Sequence, residues 1–346
     1  MIRVLIIEDS PTMQILLKAI LESDAELRVI GMAANGEDGV RQALALKPDI
    51  ITMDIHLPGM DGFEATRRIM EQRPTPIVIV SSSVDRSEVV ITFNAMQAGA
   101  LEVIEKPTAT AHPNFAVLRD RLITTVKLMA EVKVIRRYRS QTAARGQGDD
   151  SSRAVRSYAL LAIGASTGGP AALNTLFKGL PPTFALPVLV VQHMTIGFTA
   201  GLAAWLQLES RLPVKVAVEG EYLQPSTIYI APDDTHIQVL NRGVIGLSKA
   251  PPVSHVRPSA TVLFESVARV YGREAIGVLL TGMGDDGARG LKAMRDRGAA
   301  TIAQDEATSA VYGMPKVAAE LAAANQVLPL SQITGAVLAL VGNAGR

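Results

Sequence analysis

Cysteine is absent from the 346-residue chain. Its absence excludes disulfide bonds, a thiolate nucleophile, and zinc or iron–sulfur sites built on cysteine. An excess of charge of one sign is also missing, because 34 lysines and arginines stand against 33 aspartates and glutamates, for a formal net charge of +1. No overall field therefore favours nucleic acid or an anionic membrane, and partners have to be inferred from local sites.

Long apolar runs are missing as well. Charges, prolines or glycines interrupt every apolar run well short of the ~20 residues that a membrane helix needs. The opening MIRVLIIED is too short, and turns acidic too early, for a signal peptide. We therefore expect a soluble cytoplasmic protein without membrane insertion.

Short runs rich in valine and isoleucine alternate with longer amphipathic segments in two blocks. The runs are RVLII, RVIGMAA, DIITMD, PIVIVSS and LEVIEKP in the first block, and YALLAIGAS, LPVLVVQH, STIYIAP, EAIGVLLTG, AATIAQ and NQVLPL in the second. This alternation predicts an α/β fold with two doubly wound parallel-sheet domains, the second of them larger.

Between the blocks, a helical pattern over residues 114–139 leads into RSQTAARGQGDDSSRAVRS. That stretch lacks periodicity and is rich in serine, glycine, glutamine and arginine, which indicates a flexible linker. We expect domains at residues 1–125 and 158–346, with a helical extension and the linker at 126–157.

Charged and hydroxyl side chains stand where the strands of the first block end: Glu8, Asp9, Asp54, Ser81 and Lys106. Three carboxylates at one sheet edge repel one another unless a hard cation such as Mg²⁺ binds among them. The hydroxyl and the lysine opposite could then neutralise a phosphoryl group on one acid. Any one of these residues alone is most simply a polar residue at a loop, but five at successive strand ends indicate a site.

These residues resemble the receiver domain of two-component response regulators, over residues 1–125. The resemblance implies a flavodoxin-like fold in which Asp54 accepts a phosphoryl group from a histidine kinase, while Ser81 and Lys106 contact that group. The implied Mg²⁺ ligands are Glu8, Asp9, Asp54 and the backbone carbonyl of His56. Glu8 stands where many receivers have aspartate, which keeps the charge but lengthens the ligand.

In the second block, the glycine-rich IGASTGGP after the first strand has two interpretations. Gly164, Ser166 and Gly169 have the spacing of a dinucleotide-binding G-x-G-x-x-G loop, with serine in the middle position. That interpretation needs an acid at the end of the next strand, where the chain has His193. A serine on a tight turn, with a histidine at the neighbouring strand end to take its proton, fits nucleophilic serine catalysis better.

Serine catalysis also requires a group that orients the histidine, and LLTGMGDDGARG supplies Asp285 and Asp286 after another strand. Calcium binding fits less well, because the D-x-[DN]-x-[DN]-G pattern and its distal glutamate are absent. A solvated turn is the simplest interpretation of an isolated Asp-Asp-Gly. His236 and His255 compete with His193 as the base, although neither has the spacing of a zinc site.

The second block closely resembles the chemotaxis response-regulator protein-glutamate methylesterase family. IGASTGGP, QHM, IYIAPDDTHI, HVRPS, LLTGMGDDGARGL and AQDEATSAVYGMP, in this order behind a receiver, carry the likeness. It implies a Rossmann-like hydrolase domain with Ser166 as the nucleophile, His193 as the general base and Asp286 as the orienting acid.

The same resemblance places Asp285 outside the triad and implies that the Met283 backbone N–H stabilises the oxyanion. The chain departs from the family pattern at Thr195, where proline is usual, and at Ala260 and Thr261, where Val-Asp is common. We expect none of these departures to touch the triad.

The function implied by the resemblance is a phosphorylation-activated serine hydrolase. It would demethylate glutamate methyl esters on chemoreceptor helices, release methanol, and deamidate particular receptor glutamines. Its partners would be methyl-accepting chemotaxis receptors and a chemotaxis-type histidine kinase, with Mg²⁺ in the receiver and no cofactor for the esterase reaction. From the order of the parts we expect the unphosphorylated receiver to cover the cleft that holds Ser166.

Two alternatives belong to other functional classes. One is a receiver-controlled binding regulator with a catalytically silent α/β domain, and the intact serine, histidine and aspartate argue against it. The other is a regulator that acts on DNA, for which the chain lacks a recognition-helix pattern and a net basic domain.

Overall fold

The computed structural model describes residues 1–81, 93–96, 98–107, 115–132 and 157–342. These residues form a five-stranded sheet, a seven-stranded sheet and a separate two-stranded hairpin. Both large sheets are parallel and alternate with helices along the chain, so the predicted α/β fold class is confirmed. Within the same ranges no helix is long and apolar enough to cross a membrane.

The first sheet has the strand order β2-β1-β3-β4-β5. Its strands are β1 (Ile2–Ile7), β2 (Leu27–Ala33), β3 (Ile50–Met53), β4 (Ile77–Ser81) and β5 (Glu102–Glu105), and its helices are α1 (Pro11–Leu21), α2 (Gly36–Leu46), α3 (Gly62–Gln72) and α4 (Phe115–Ala130). This is the flavodoxin-like order, in which the connections reverse between β1 and β3. The loops that follow β1 and β3 therefore share one crevice.

Local sequence explains how these elements form. Every residue of β3 and of β4 is buried, as expected for strands covered by helices on both faces. Ser10 caps α1 by accepting a hydrogen bond from the Met13 N–H, and Asp61 caps α3 in the same way from the Glu64 N–H. All five strands that the apolar runs predict in this block are present.

Helix α4 ends at Ala130, short of the helical pattern that predicts it to residue 139. The buried residues of α4, the last of which is Met129, pack into the core of the first sheet, and the chain leaves the helix after Ala130. Helix α4 spans residue 125, the predicted end of the first domain. Residues 133–156, which make up most of the predicted linker, lie outside the described residues.

The second sheet has the order β14-β13-β12-β6-β7-β9-β8. Its strands are β6 (Leu160–Ala165), β7 (Val188–Gln192), β8 (Val214–Val216), β9 (Ile228–Ile230), β12 (Ala275–Leu279), β13 (Ala300–Gln304) and β14 (Gln326–Leu328), and the hairpin is formed by β10 (His236–Val239) and β11 (Ile245–Ser248). The helices are α5 (Gly169–Lys178), α6 (Thr199–Glu209), α7 (Ala260–Val270), α8 (Ala288–Asp296), α9 (Met314–Glu320) and α10 (Leu330–Gly342). The order reverses at β6, which has β7 on one side and β12 on the other, so the loops after these three strands surround one crevice.

Six strands of this sheet coincide with predicted apolar runs, whereas β8 and the β10–β11 hairpin were not predicted. These elements have three or four residues each, which leaves little room for a strand period, although β9 and β14 are as short and were predicted. The hairpin is antiparallel and lies outside the main sheet.

One cluster of buried apolar side chains runs from the first sheet into the second. At the junction the rings of Phe93 and Trp205 stack, with their centroids 5.4 Å apart, and Trp205 Nε1 donates a hydrogen bond to Asn94 Oδ1 at 3.1 Å. Thr195 Oγ1 donates to the carbonyl of Val103 at 3.1 Å. The end of the first sheet near β5 is therefore packed on the second unit.

Candidate functional site

The acids of the first sheet meet at its carboxyl edge. Oxygens of Glu8, Asp9 and Asp54 lie within 4.8 Å of one another, which suits a hard cation that binds through oxygen. Glu8 and Asp54 are buried and Asp9 is exposed. His56 is exposed two residues after Asp54, and its backbone N–H donates to Asp54 Oδ1 at 3.4 Å.

Lys106 reaches across this edge from the end of β5. Its Nζ lies 2.7 Å from Asp54 Oδ2 and 2.9 Å from Glu8 Oε2. Burial would lower the pKa of Lys106, but hydrogen bonds to Asp54 and Glu8 outweigh burial and raise it. Burial raises the pKa of Glu8, and the Asp54 charge adds to this effect against the hydrogen bond from Lys106.

Ser81 lies beside Lys106 on the neighbouring strand. The Lys106 backbone N–H donates to the Ser81 carbonyl at 2.8 Å. The Ser81 Oγ is fully buried and has no hydrogen-bond partner within the described residues, which is costly for a hydroxyl. A phosphoryl oxygen at this edge would supply the missing partner.

In the second sheet, Ser166 directly follows β6 on a tight turn. Its N–H donates to the Thr281 carbonyl at 3.0 Å, and its carbonyl accepts from the Gly169 N–H at 2.7 Å. Gly168 has φ +74, a backbone conformation that glycine adopts without strain. The serine is thereby held at the N-terminus of α5.

The adjacent strand end carries His193, whose backbone N–H donates to the Ala165 carbonyl at 3.0 Å. The Gln192 amide donates to the carbonyls of both Ser166 and His193 at 2.8 Å and ties the two strand ends together. A β-carbon at Gly169 would lie 2.0 Å from Gln192 Oε1, so glycine is required for this contact. The role of Gln192 was not predicted, although it directly precedes the histidine in QHM.

Asp286 lies 3% exposed after β12 and faces His193. Its carboxylate accepts hydrogen bonds from His193 Nε2 at 2.9 Å, Ser259 Oγ at 2.6 Å, the Ala260 N–H at 2.6 Å and the Thr261 N–H at 3.2 Å. Burial alone would raise the pKa of Asp286, but His193 and the hydroxyl and N–H donors lower it to about 2. The carboxylate stays charged at the N-terminus of α7, where the helix dipole favours an anion.

The bond to Asp286 defines which nitrogen of His193 can act as a base. A carboxylate accepts, so His193 Nε2 carries the proton and donates it, and Nδ1 is left as the acceptor. An imidazole in this tautomer can take a proton from a serine hydroxyl. Asp285, by contrast, is exposed, which separates the two adjacent acids.

The expectation that the departures at Ala260 and Thr261 do not touch the triad is wrong, because the backbone N–H groups of both residues donate to Asp286. The contact of Ser259 with Asp286 was not predicted either. Ser259 is the N-cap of α7 and accepts from the Val262 N–H, and Thr261 Oγ1 accepts from the Gly287 N–H at 2.8 Å. A serine directly before the apolar pattern ATVLFESVARV is a signal for a helix start that could have located the cap.

The chain at Gly282, directly before Met283, packs against Ser166. A β-carbon on Gly282 would lie 2.7 Å from Ser166 Cβ and 3.2 Å from Ser166 N. Within the described residues the Met283 N–H donates to no backbone carbonyl, while its neighbour Gly282 donates to Val311. The assignment of this N–H to the oxyanion stays a prediction.

The two competing histidines lie elsewhere. His255 is exposed. His236 is buried behind Asp286, where Nδ1 accepts from the Ser259 N–H at 3.1 Å and Nε2 lies 3.2 Å from the Pro251 carbonyl. Of the three histidines, only His193 contacts Asp286.

Strand β5 of the first sheet contacts the crevice that holds Ser166. Glu102 Oε2 accepts from Thr167 Oγ1 at 3.4 Å, directly beside Ser166. Burial raises the pKa of Glu102, against the opposing charges of Arg121 and His193 and the hydrogen bonds from Val103 and Thr167.

Two family models match the chain: the response regulator receiver domain over residues 4–113 and CheB methylesterase over residues 161–337. A protein from Syntrophus aciditrophicus, named protein-glutamate methylesterase/protein-glutamine glutaminase 1, is 49% identical over 99% of each chain. One from Nitrosospira multiformis, named protein-glutamate methylesterase/protein-glutamine glutaminase, is 46% identical over 100% of this chain and 98% of its own length. The solved catalytic domain of Thermotoga maritima CheB methylesterase is 39% identical, with a TM-score of 0.52 over 54% of this chain and 100% of that domain.

Proposed function

Because the chain belongs to the CheB family of protein-glutamate methylesterases, we propose that it demethylates glutamate methyl esters on chemoreceptor helices with Ser166, His193 and Asp286 as its triad. The observation that carries the triad is the buried, ionised Asp286 bonded to His193 Nε2 at 2.9 Å. A catalytically silent binding domain would not require a buried carboxylate that orients a histidine beside the serine.

Acylation begins when His193 Nδ1 takes the hydroxyl proton of Ser166 as its Oγ attacks the ester carbonyl carbon. The carbonyl π electrons move onto the oxygen, which the Met283 N–H stabilises. The bond to the methoxy oxygen then breaks, and the His193 imidazolium returns the proton to that oxygen. Methanol leaves, and the glutamyl group remains as an ester of Ser166.

Deacylation repeats these steps with water. His193 takes a proton from the water as its oxygen attacks the acyl carbon, and then returns the proton to the Ser166 oxygen as the ester bond breaks. The products are a receptor glutamate and free enzyme. A glutamine side chain follows the same course with ammonia as the leaving group, so one site serves both the esterase and the proposed glutaminase reaction.

We further propose that Asp54 accepts a phosphoryl group from a chemotaxis-type histidine kinase. Glu8, Asp9, Asp54 and the His56 carbonyl would hold Mg²⁺, which offsets negative charge on the phosphoryl oxygens when bound. The buried hydroxyl of Ser81 and the ammonium of Lys106 support this assignment, because both lie at the same edge and suit a phosphoryl oxygen.

The division of the chain follows from these roles. We propose a receiver domain at residues 1–125, a joining segment at 126–157 and a catalytic domain at 158–346, which agrees with the ranges that the two family models match. A receiver that takes phosphoryl groups from a kinase is consistent with a cytoplasmic location.

We propose that the unphosphorylated receiver obstructs the cleft that holds Ser166, and that phosphorylation releases it. In the arrangement described here, Glu102 and Val103 of the receiver contact Thr167 and Thr195, which flank Ser166 and His193. Lys106 directly follows the same strand, so a phosphoryl group on Asp54 that draws Ser81 and Lys106 inward repacks the receiver face that makes the contact. Phosphorylation would therefore uncover the serine.

The triad is tested by methanol release from methylated receptor membranes, using the full chain with a small phosphodonor. Ser166→Ala, His193→Ala and Asp286→Asn should each lower turnover, the last by up to ~10⁴ because the wrong tautomer is left at the base. The matched controls are His255→Ala and Asp285→Asn, which change exposed residues of the same type and should remain active. An inactive Asp285→Asn with an active Asp286→Asn would contradict the assignment.

A further inference from the structure

His236 is a buried histidine that the proposed mechanism leaves without a role. It begins β10, is 1% exposed, and uses both ring nitrogens. Nδ1 accepts from the Ser259 N–H, so the proton is on Nε2, which donates to the Pro251 carbonyl. The ring is thereby neutral and fixed at both sides.

We infer that His236 is a positioning residue for ester hydrolysis: it holds Ser259, and through Ser259 it fixes the Asp286 carboxylate against His193. The inference rests on the proposed triad. Its basis is a continuous series of hydrogen bonds, from the Pro251 carbonyl to His236, from His236 to Ser259, and from Ser259 Oγ to Asp286 Oδ1 at 2.6 Å.

Ser259 makes two buried hydrogen bonds, one through its hydroxyl and one through its backbone N–H, so its backbone needs a fixed acceptor. Its Oγ donates to Asp286, and its N–H is buried and would be left unsatisfied without His236 Nδ1. The next two N–H groups, of Ala260 and Thr261, also donate to Asp286. A shift of Ser259 therefore moves three donors of the carboxylate together.

The other side of His236 is equally well supported. The residue pairs with Ser248 in the β10–β11 hairpin. Arg257 Nη1 donates to the carbonyls of Lys249 and Ala250 at 3.0 Å, directly before Pro251. The hairpin and the segment after it thus form a stable base from which the imidazole reaches the start of α7.

Two substitutions separate positioning from packing. In His236→Asn the amide oxygen can occupy the Nδ1 position and accept from the Ser259 N–H, while the bond to Pro251 is lost. In His236→Gln the longer side chain reaches the Nε2 position and can donate to Pro251, while Ser259 loses its acceptor. Each variant loses one of two buried hydrogen bonds, so similar losses in thermal stability are expected.

The two variants should differ in kcat although their thermal stabilities are similar. With phosphodonor present, we expect the full-length Asn variant to keep kcat for methanol release within about threefold of wild type, and the Gln variant to lose roughly tenfold to a hundredfold with little change in KM, as misplacement of a catalytic group does. Equal kcat values in the two variants, or kcat values that follow the melting temperatures, would overturn the inference.

If the Gln variant does not fold, the Asn variant decides alone, because its acceptor is in place: kcat within threefold supports the inference and a loss above tenfold overturns it. Asp286→Asn in the same assay separates this inference from the triad. Full activity of Asp286→Asn would refute the triad and the positioning role together. An inactive Asp286→Asn beside equally active His236 variants would refute the positioning role only.

Discussion

Among single residues, Asp286 is a buried carboxylate that stays ionised and accepts a hydrogen bond from His193. Desolvation of a carboxylate is costly, yet four donors hold its pKa at about 2. The same donors determine its orientation towards His193. Stability and chemistry at this position therefore depend on one set of hydrogen bonds.

A prediction on acid stability follows from this pKa. The carboxyl titrates near 3.8 in the unfolded chain and at about 2 in the folded one, so its contribution is present above pH 3.8 and is lost as the pH falls through 2. The free energy of unfolding, measured with denaturant from pH 5 to pH 2, should fall more steeply in wild type than in Asp286→Asn, by about 2 kcal/mol in total. Asp285→Asn should keep the wild-type slope, and equal slopes for all three proteins would count against the low pKa.

The chain could indicate Ser166, His193 and the Asp-Asp pair because polar residues that follow parallel strands meet at one edge. Periodicity could not choose between Asp285 and Asp286, since that choice depends on which side chain the turn directs inward. Nor could it identify Ser259, whose contact with Asp286 spans 27 residues of sequence.

Among the elements, the segment after β12 is constrained most closely. Gly282 is packed against Ser166 and Met314, and a β-carbon there would lie 2.3 Å from Met314 Sδ as well as 2.7 Å from Ser166 Cβ. The methionine sulfur can move aside, but Ser166 Cβ cannot move without displacing the hydroxyl that we propose as the nucleophile. Glycine at this position is thus a requirement of the catalytic geometry.

Gly282→Ala should therefore lower kcat for methanol release by roughly tenfold to a hundredfold, as small displacements of reacting groups do. Gly335→Ala is the matched control, because nothing lies within 4 Å of a β-carbon at Gly335 in α10. That control should keep full activity and gain up to about 1 kcal/mol of stability from helix propensity. An active Gly282→Ala would show that the serine tolerates displacement.

The elements that were not predicted are short strands, in which an alternating pattern is difficult to recognise. β8 has three residues, and the hairpin strands have four each, whereas the predicted strands of the main sheet are mostly longer and follow clear apolar runs. The hairpin nevertheless supports His236 and thus the start of α7. Elements without a sequence signal can therefore contribute to a site that the sequence does signal.

At the scale of the whole molecule, the receiver and the catalytic unit share a buried contact at β5 and α6. The order of the parts predicts that the receiver covers the cleft, but only the structure shows the groups involved, because no pattern links Glu102 to Thr167 across 65 residues of sequence. Trp205 is the single tryptophan of the chain and lies in this contact, 1% exposed. Tryptophan fluorescence of the protein therefore comes from a residue in this contact.

The raised pKa of Glu102 predicts that the contact weakens as the pH rises. Burial favours the neutral carboxyl in the closed form, so the closed form is fully favoured below the ordinary pKa of 4.5 and loses this advantage as the pH passes through the raised value. Arg121 and His193 are the charged and titratable groups that face Glu102. Trp205 emission of the unphosphorylated protein should shift towards solvent-exposed values with rising pH.

Glu102→Gln is the control for this pH effect, since it removes the titrating group and leaves Arg121 and His193 in place. Its emission should vary less with pH than that of wild type. Superimposable pH profiles would assign the effect to a group other than Glu102.

Phosphorylation should open the same contact. Adding a small phosphodonor with Mg²⁺ should shift Trp205 emission to longer wavelength, because the indole leaves the Phe93 ring for water. Asp54→Asn should abolish the shift, and so should EDTA in wild type, since the acid cluster needs its cation for phosphorylation.

Thr195→Val tests whether closure itself restrains the enzyme, because it removes the hydroxyl that donates to the Val103 carbonyl and keeps the side-chain shape. One such hydrogen bond is worth about 1 kcal/mol, so unphosphorylated methanol release should rise about fivefold while the phosphorylated rate stays the same. Thr227→Val is the matched control, since its hydroxyl donates to the Pro225 carbonyl at an exposed position. If phosphodonor stimulates methanol release while Trp205 emission stays unchanged and Thr195→Val has the wild-type basal rate, the contact remains closed during catalysis, and activation acts through the geometry of the site instead.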